Sequence, residues 1–166
     1  MGVYLPEPNK TKHSFSGETD ILTYGATSMQ GWRMQMEDAH ISTAPFAGDP
    51  KAALFAVFDG HGGWQMSEYA KKNLHVYVEE ELQKKLSTAK AGTNTDELYK
   101  KAIESAFDRI ENEFLIFSKE AFQKGFPNAA YVGACALVAV VNGNKLYVAS
   151  AGDCKAGNNW VENIDI

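Results

Sequence analysis

Residues 52–58 read Ala-Ala-Leu-Phe-Ala-Val-Phe, an unbroken apolar run that stops at Asp59-Gly60-His61-Gly62-Gly63. A run this short, bounded by glycines, predicts a buried strand. A buried strand needs cover, and the rest of the chain supplies candidates. From Gln65 to Leu86 there is no Gly or Pro, and Lys, Glu and Leu are frequent, which predicts a helix. Gly92 to Thr95 breaks it. Asn94 can cap a second helix, with Glu97 in the capping-box position. Leu98, Ala102, Ala106, Ile110, Phe114 and Phe117 then recur at steps of three or four, beside Ile103 and Phe107, as one apolar face of a helix ending near Phe122. That aromatic stripe reads as core packing.

Strands are expected on both sides of the helices. Ile21 to Thr27 reads as one, with a turn at Gly31 to Arg33, and Met36 to Thr43 as another. Pro45 to Pro50 is a loop, and Gly125 to Asn128 a turn. Val132 to Val141 and Leu146 to Ser150 flank Asn142-Gly143, a strong hairpin signal because both positions tolerate positive φ. Strands, two helices, then strands imply an α+β fold with antiparallel sheet, not repeated βαβ units. Residues 1–20, rich in Pro, Ser, Thr and Gly, are expected to form an irregular leader.

The bulk properties exclude some classes. A formal net charge of −5 argues against a nucleic-acid surface. The longest apolar runs, such as Ala134 to Val141, are too short for a transmembrane segment, and the polar start of the chain does not read as a secretory signal. Gly2 after Met1 opens N-myristoylation and peripheral membrane attachment, which Pro6 disfavours because the acceptor pattern wants Ser or Thr there. Cys135 and Cys154 read as reduced thiols of an intracellular protein. The expected location is cytoplasmic, with the nucleus a second choice.

Two clusters could do chemistry. In the first, Arg33-Met34-Gln35-Met36-Glu37-Asp38-Ala39-His40, paired acids follow an arginine. Neighbours in an extended strand face opposite sides, so only one of Glu37 and Asp38 can point directly at a metal. Arg33 has the planar fork that bonds two phosphate oxygens at once. In the second, Asp59 ends an apolar strand and three glycines follow within four residues. Glycines let a backbone group approach a ligand closely. Carboxylates and carbonyls are the donors hard cations prefer, and His61 is of the type that exchanges protons near neutral pH. Taken singly, the first cluster reads more readily as a solvated charged turn, and the second reads equally well as a Gly-rich turn with a solvated Asp and His.

Together, Met36-Glu37-Asp38-Ala39-His40 and Phe58-Asp59-Gly60-His61-Gly62-Gly63 closely resemble the metal-dependent Ser/Thr protein phosphatases of type 2C. The resemblance extends through Tyr131-Val132-Gly133, Leu146-Tyr147-Val148-Ala149 and Ala151-Gly152-Asp153. It implies a four-layer α-β-β-α sandwich, of which residues 21–156 would be the N-terminal portion of the catalytic domain. It also implies a two-metal centre of Mg2+ or Mn2+. Glu37 and Asp59 would be ligands, with Asp59 bridging, the Gly60 carbonyl a further ligand, and Asp38 a support. Arg33 would hold the substrate phosphate, and His61 would protonate the departing oxygen. Asp153 lies where the family has an acid near a weaker third metal. The implied partners are phosphoserine and phosphothreonine proteins, and the chain is expected to be monomeric.

The chain also departs from that pattern. The family's later Asp-Gly-x-x-Asp and Asp-Asn motifs do not occur in its 166 residues, and the segment from Gly157 to Ile166 reads as a divergent tail arising by truncation. Glu162 and Asp165 could in principle replace the lost acids. The usual Gly-Ser-Thr-Ala is Gly133-Ala134-Cys135-Ala136 here, where Cys135 can pack as a small hydrophobe. The expectation is weak or no activity for this chain alone. A non-catalytic isoform acting as a binding or competitor module is the alternative.

Overall fold

The structure, a computed structural model, describes residues 4–157. Strands β1 (Tyr4–Glu18), β2 (Thr23–Arg33), β3 (Ala39–Thr43) and β4 (Ala52–His61) come first. Helices α1 (Gln65–Thr88) and α2 (Thr95–Gln123), a 3-10 turn at Pro127–Tyr131, and strands β5 (Gly133–Asn142) and β6 (Lys145–Ala151) follow. One antiparallel sheet has the order β3-β4-β5-β6, and β1-β2 form a separate antiparallel ribbon. The α+β reading holds.

The apolar run becomes β4, an interior strand of the larger sheet. Toward its end Ala56, Phe58 and Gly60 are buried, while Val57, Asp59 and His61 face outward. Period-two geometry explains the split. Phe58 and Leu54 pack in one core with Leu74 and Val78 of α1, Ala102 and Ala106 of α2, and Val138 and Val140 of β5. The β1-β2 ribbon covers part of the other face. Phe15 stacks on His40 with ring centroids 5.0 Å apart, and Tyr24 meets Phe55 at 5.0 Å. The described residues thus supply helices, sheet and ribbon in three layers.

Several expectations need correction. The expected irregular leader at residues 1–20 contains strand β1, which spans Tyr4–Glu18. Its partner is remote in sequence, so local composition hides the pairing. Pro6 and Pro8 fall where the register with β2 shifts, between Tyr4 and Asn9, and an edge strand tolerates proline there. Gly31 is no free turn but lies within β2 opposite Asn9, at φ +67, where that register slips again. The hairpin turn sits one residue later than expected. Asn142 pairs with Lys145, leaving Gly143 and Asn144 at the tip with Gly143 at φ +58. Glycine in the first tip position suits a type II′ turn. The stretch Met36 to Asp38 precedes β3 instead of belonging to it. Gly2 and all of the expected tail except Gly157 lie outside the described residues, as do Glu162 and Asp165.

Asn94 caps α2 as expected, its side chain accepting from the Asp96 amide at 3.0 Å. Glu97 does not close the capping box; it accepts from Lys100 at 3.1 Å instead. Along α2, Tyr99, Ala102, Ile103, Ala106, Ile110 and Phe114 are buried, whereas Phe117 is exposed. The stripe therefore leaves the core after Phe114, about two and a half turns before the helix ends at Gln123.

A polar clamp joins the two helices. Glu113 of α2 accepts from Tyr69 Oη at 2.6 Å and Tyr77 Oη at 2.5 Å, both on α1, and from Arg109 Nε at 2.9 Å. Arg109 also donates to Glu80 at 2.6 Å, and its guanidinium lies 3.6 Å above the Tyr77 ring. The tyrosine hydroxyls and Arg109 hold the Glu113 carboxyl well below its ordinary value of 4.5, at about 2. A depressed carboxyl contributes stability above its unfolded value and loses it as pH falls toward the folded one. Glu113→Gln should therefore lower the urea midpoint at about pH 5, and this difference should shrink toward about pH 2. Equal midpoints for the two proteins at the higher pH would contradict the clamp.

Candidate functional site

The pairing of β3 with β4 builds the site. Ala39 stands opposite Phe58, so the next step along the ladder sets Asp38 beside Asp59. Both side chains line one cleft, where each carboxyl feels the other's charge. Partial desolvation and the adjacent Asp59 charge push the Asp38 carboxyl above its ordinary value, against the lowering pull of Arg33. Glu37 pairs with Arg33 at 3.3 Å, and because this segment precedes β3 instead of alternating as a strand, both acids reach the same cleft. These four side chains and Gly60 line a cleft of about 160 Å³, together with Met29 and Gln30 of β2 and Gln35 and Met36. Five of the six expected site residues therefore converge.

The sixth, His61, does not line that cleft. It follows Asp59 by two residues on the same face of β4, and its imidazole lies over Gly133 of β5. A Cβ on Gly133 would come within 2.5 Å of His61 Nε2, so this glycine makes room for the ring. Asp153 does not line the cleft either.

The glycines of the second cluster do something other than the sequence suggests. A Cβ on Gly60 would sit 2.2 Å from the Glu37 carbonyl oxygen, and one on Gly62 would sit 2.1 Å from that of Tyr131. They admit the chain's own backbone, locking the segment before β3 and the segment before β5 against the end of β4. Gly62 also takes φ +70. Sequence reasoning missed Ser67 in the first turn of α1. It is fully buried, and its hydroxyl lies within donating reach of the Glu37 carbonyl oxygen and of that of Trp64, 2.9 Å away. The available signal was one hydroxyl on a helix face otherwise built from Met66, Ala70 and Leu74. Gln30 was missed as well, because it arrives from β2 and donates to the Arg33 carbonyl at 2.8 Å.

Carboxylates, a main-chain carbonyl and crowded negative charge are the donor set of a hard divalent cation. Asp38 and Asp59 side by side are the observation that fits such an ion, since two carboxylates in contact repel unless neutralised. The set is open: among the described residues no three His, Cys, Asp or Glu side chains surround a single point closely enough to hold a cation by themselves. A larger groove of about 690 Å³ adjoins the cleft through Gln35 and Glu37 and is walled by Trp64, Phe114, Phe117 and Phe126.

Comparison with known proteins fits this geometry. The chain is 36% identical to "Probable protein phosphatase 2C 4" of Paramecium tetraurelia, over 99% of this chain and 54% of the relative. It is 35% identical to "Protein phosphatase 2C homolog 2" of Hypocrea jecorina, over 94% of this chain and 34% of the relative. The fold is similar to the crystal structure of serine-threonine phosphatase 2C from Toxoplasma gondii, with a TM-score of 0.51 at 22% identity, covering 91% of this chain and 47% of that one. The chain spans about half the length of the first Paramecium relatives it matches. Residues 22–156 match the family described as Protein phosphatase 2C, and the chain belongs to that family.

Proposed function

We propose that this chain provides the phosphate-binding and acid-rich part of a metal-dependent Ser/Thr phosphoprotein phosphatase. The observation that carries the reading is the convergence of Arg33, Glu37, Asp38, Asp59 and Gly60 on one cleft. Glu37, Asp59 and the Gly60 carbonyl would hold Mg2+ or Mn2+, with Asp38 orienting Asp59. When bound, the ion supplies neutralising charge to phosphate oxygens and lowers the pKa of water.

The chain's own residues do the rest. Arg33 spends one nitrogen, Nη2, on Glu37, and its side chain is 64% exposed. Its remaining N–H groups are free to take two phosphate oxygens, orienting the monoester. His61 stands two residues beyond Asp59, roughly 7 Å along the strand at about 3.4 Å per residue. His61 lies outside the cleft but on the same outward face of β4 as Asp59, and in this reading its imidazole donates a proton to the departing Ser or Thr oxygen. The buried face of β4 fixes Asp59 and His61 by packing Phe58 into the core. The open donor set predicts slow turnover for the 166-residue chain.

The test is Mn2+-dependent hydrolysis of para-nitrophenyl phosphate by the chain. Weak, metal-requiring turnover is expected, reduced at least about 100-fold by Asp59→Asn, the upper range of what even outer partners of a metal contribute. Hydrolysis that ignores Mn2+ or survives Asp59→Asn would refute the assignment. Absence of any hydrolysis above the Asp59→Asn control would move the chain to a non-catalytic binding role. In the active case, Arg33→Lys should raise KM by about tenfold with a smaller change in kcat, since Lys keeps the charge but loses the fork. An unchanged KM would remove Arg33 from phosphate binding.

A further inference from the structure

The candidate site has a supporting contact from a helix, outside both of its sequence clusters. Ser67 is in the first turn of α1, thirty residues beyond Glu37, and none of its surface reaches solvent. Among the described residues it is the one polar or charged residue that is buried. Its neighbours on that helix face, Met66, Ala70 and Leu74, are apolar. A buried hydroxyl in such company is costly unless it is bonded.

Two carbonyl oxygens lie within its reach, that of Trp64 at 2.9 Å and that of Glu37. The hydroxyl has a single proton to give. The Trp64 carbonyl already accepts the Glu68 amide at 3.1 Å, as the first turn of the helix requires. Ser67 is the donor the structure gives to the Glu37 carbonyl. That carbonyl is also pressed against the Cα of Gly60, where any Cβ would come within 2.2 Å of it and 3.0 Å of Ser67 Oγ. Glu37 is therefore gripped through its backbone, between a strand that admits no side chain there and a hydroxyl delivered by the helix.

We infer that Ser67 is a positioning residue, which fixes the Glu37–Asp38 backbone against Gly60 and so sets the spacing between the two halves of the acid cluster. The inference rests on the metal-dependent reading above only where cation binding is concerned. With the hydroxyl absent, the Glu37 carbonyl is left buried and unpaired, and the segment before β3 relaxes away from β4. Glu37 and Asp38 move together because they are adjacent, while Asp59 and Gly60 stay with the sheet. The cluster then widens as a unit, without loss of any carboxylate.

The experiment compares the full chain with Ser67→Ala and Ser67→Cys, the latter keeping similar volume and a weak donor. Amide hydrogen exchange of the metal-free proteins reads the backbone grip. Exchange across residues 35–39 should quicken about tenfold in Ser67→Ala and by less in Ser67→Cys, while residues 70–82 of α1 and 53–58 of β4 keep their protection. Mn2+ affinity by electron paramagnetic resonance should fall in the same order, by about tenfold in Ser67→Ala, as for other outer partners of metal ligands. Unchanged exchange at residues 35–39, or exchange that rises uniformly through α1 and β4, overturns the positioning role. Equal Mn2+ affinity in wild type and Ser67→Ala also overturns it. A wild-type chain that binds no Mn2+ counts against the metal-dependent reading instead, and the exchange data then decide the role of Ser67 alone. Should Ser67→Ala fail to fold, Ser67→Cys carries the same comparisons.

Discussion

Everything at the candidate site depends on the register of β3 against β4. Ala39 opposite Phe58 turns both residues into the helix-facing core, and the same register brings Asp38 next to Asp59 on the outward side. A slip of one residue would reverse both faces at once. The apolar packing that fixes the register is thus the force that holds two carboxylates in one cleft. Core burial here drives an electrostatically unfavourable arrangement, a common property of sites made for cations or phosphate.

The rest of the molecule reinforces that pair of strands. Helix α1 packs on the sheet with Leu74 and Val78 in the core, and α2 packs against α1 and reaches β6, with Ala102 and Ala106 in the same core. Glu113, Tyr69, Tyr77 and Arg109 then tie the helices at their polar edge. At the far end, Asp96 accepts from Lys145 at 2.6 Å and Tyr147 at 2.7 Å, and Tyr99 stacks on Tyr147 at 4.6 Å, joining the start of α2 to β6. The site lies where β4 gives way to α1, so the rigid layers reach it through Gly60, Gly62 and Ser67.

What was legible in the amino-acid order was whatever local chemistry decides. The apolar run of β4, the two helices and the Asn94 cap are short-range signals, and each is found near its expected place. The acid clusters were legible only as a pair, since each alone also reads as a solvated turn and it is their combination that resembles a known family. The misses were long-range. Strand β1 has few apolar residues and is defined by its ladder with β2 and by single contacts such as Ser14 with Thr27 at 2.7 Å. The approach of the Glu37 carbonyl to Gly60 joins segments more than twenty residues apart, and the contact with Ser67 spans thirty. No periodicity reports contacts of that kind. The glycines were recognised as needed, but their reason is internal packing and not ligand access.

The register of β3 against β4 crowds Asp38 and Asp59 into one cleft, and in the function proposed above a divalent cation relieves their repulsion. Thermal unfolding of the metal-free and Mn2+-saturated chain, for wild type and Asp59→Asn, tests it most directly. Removing one charge should raise the metal-free midpoint by about 2–4 °C, the shift that roughly 1 kcal/mol produces in a chain of this size. The rise that Mn2+ brings to the wild type should vanish in the variant, because a ligand stabilises only a fold that binds it. A metal-free midpoint that falls in Asp59→Asn, with the Mn2+ response intact, would mean that the two carboxylates neither strain the fold nor hold the ion.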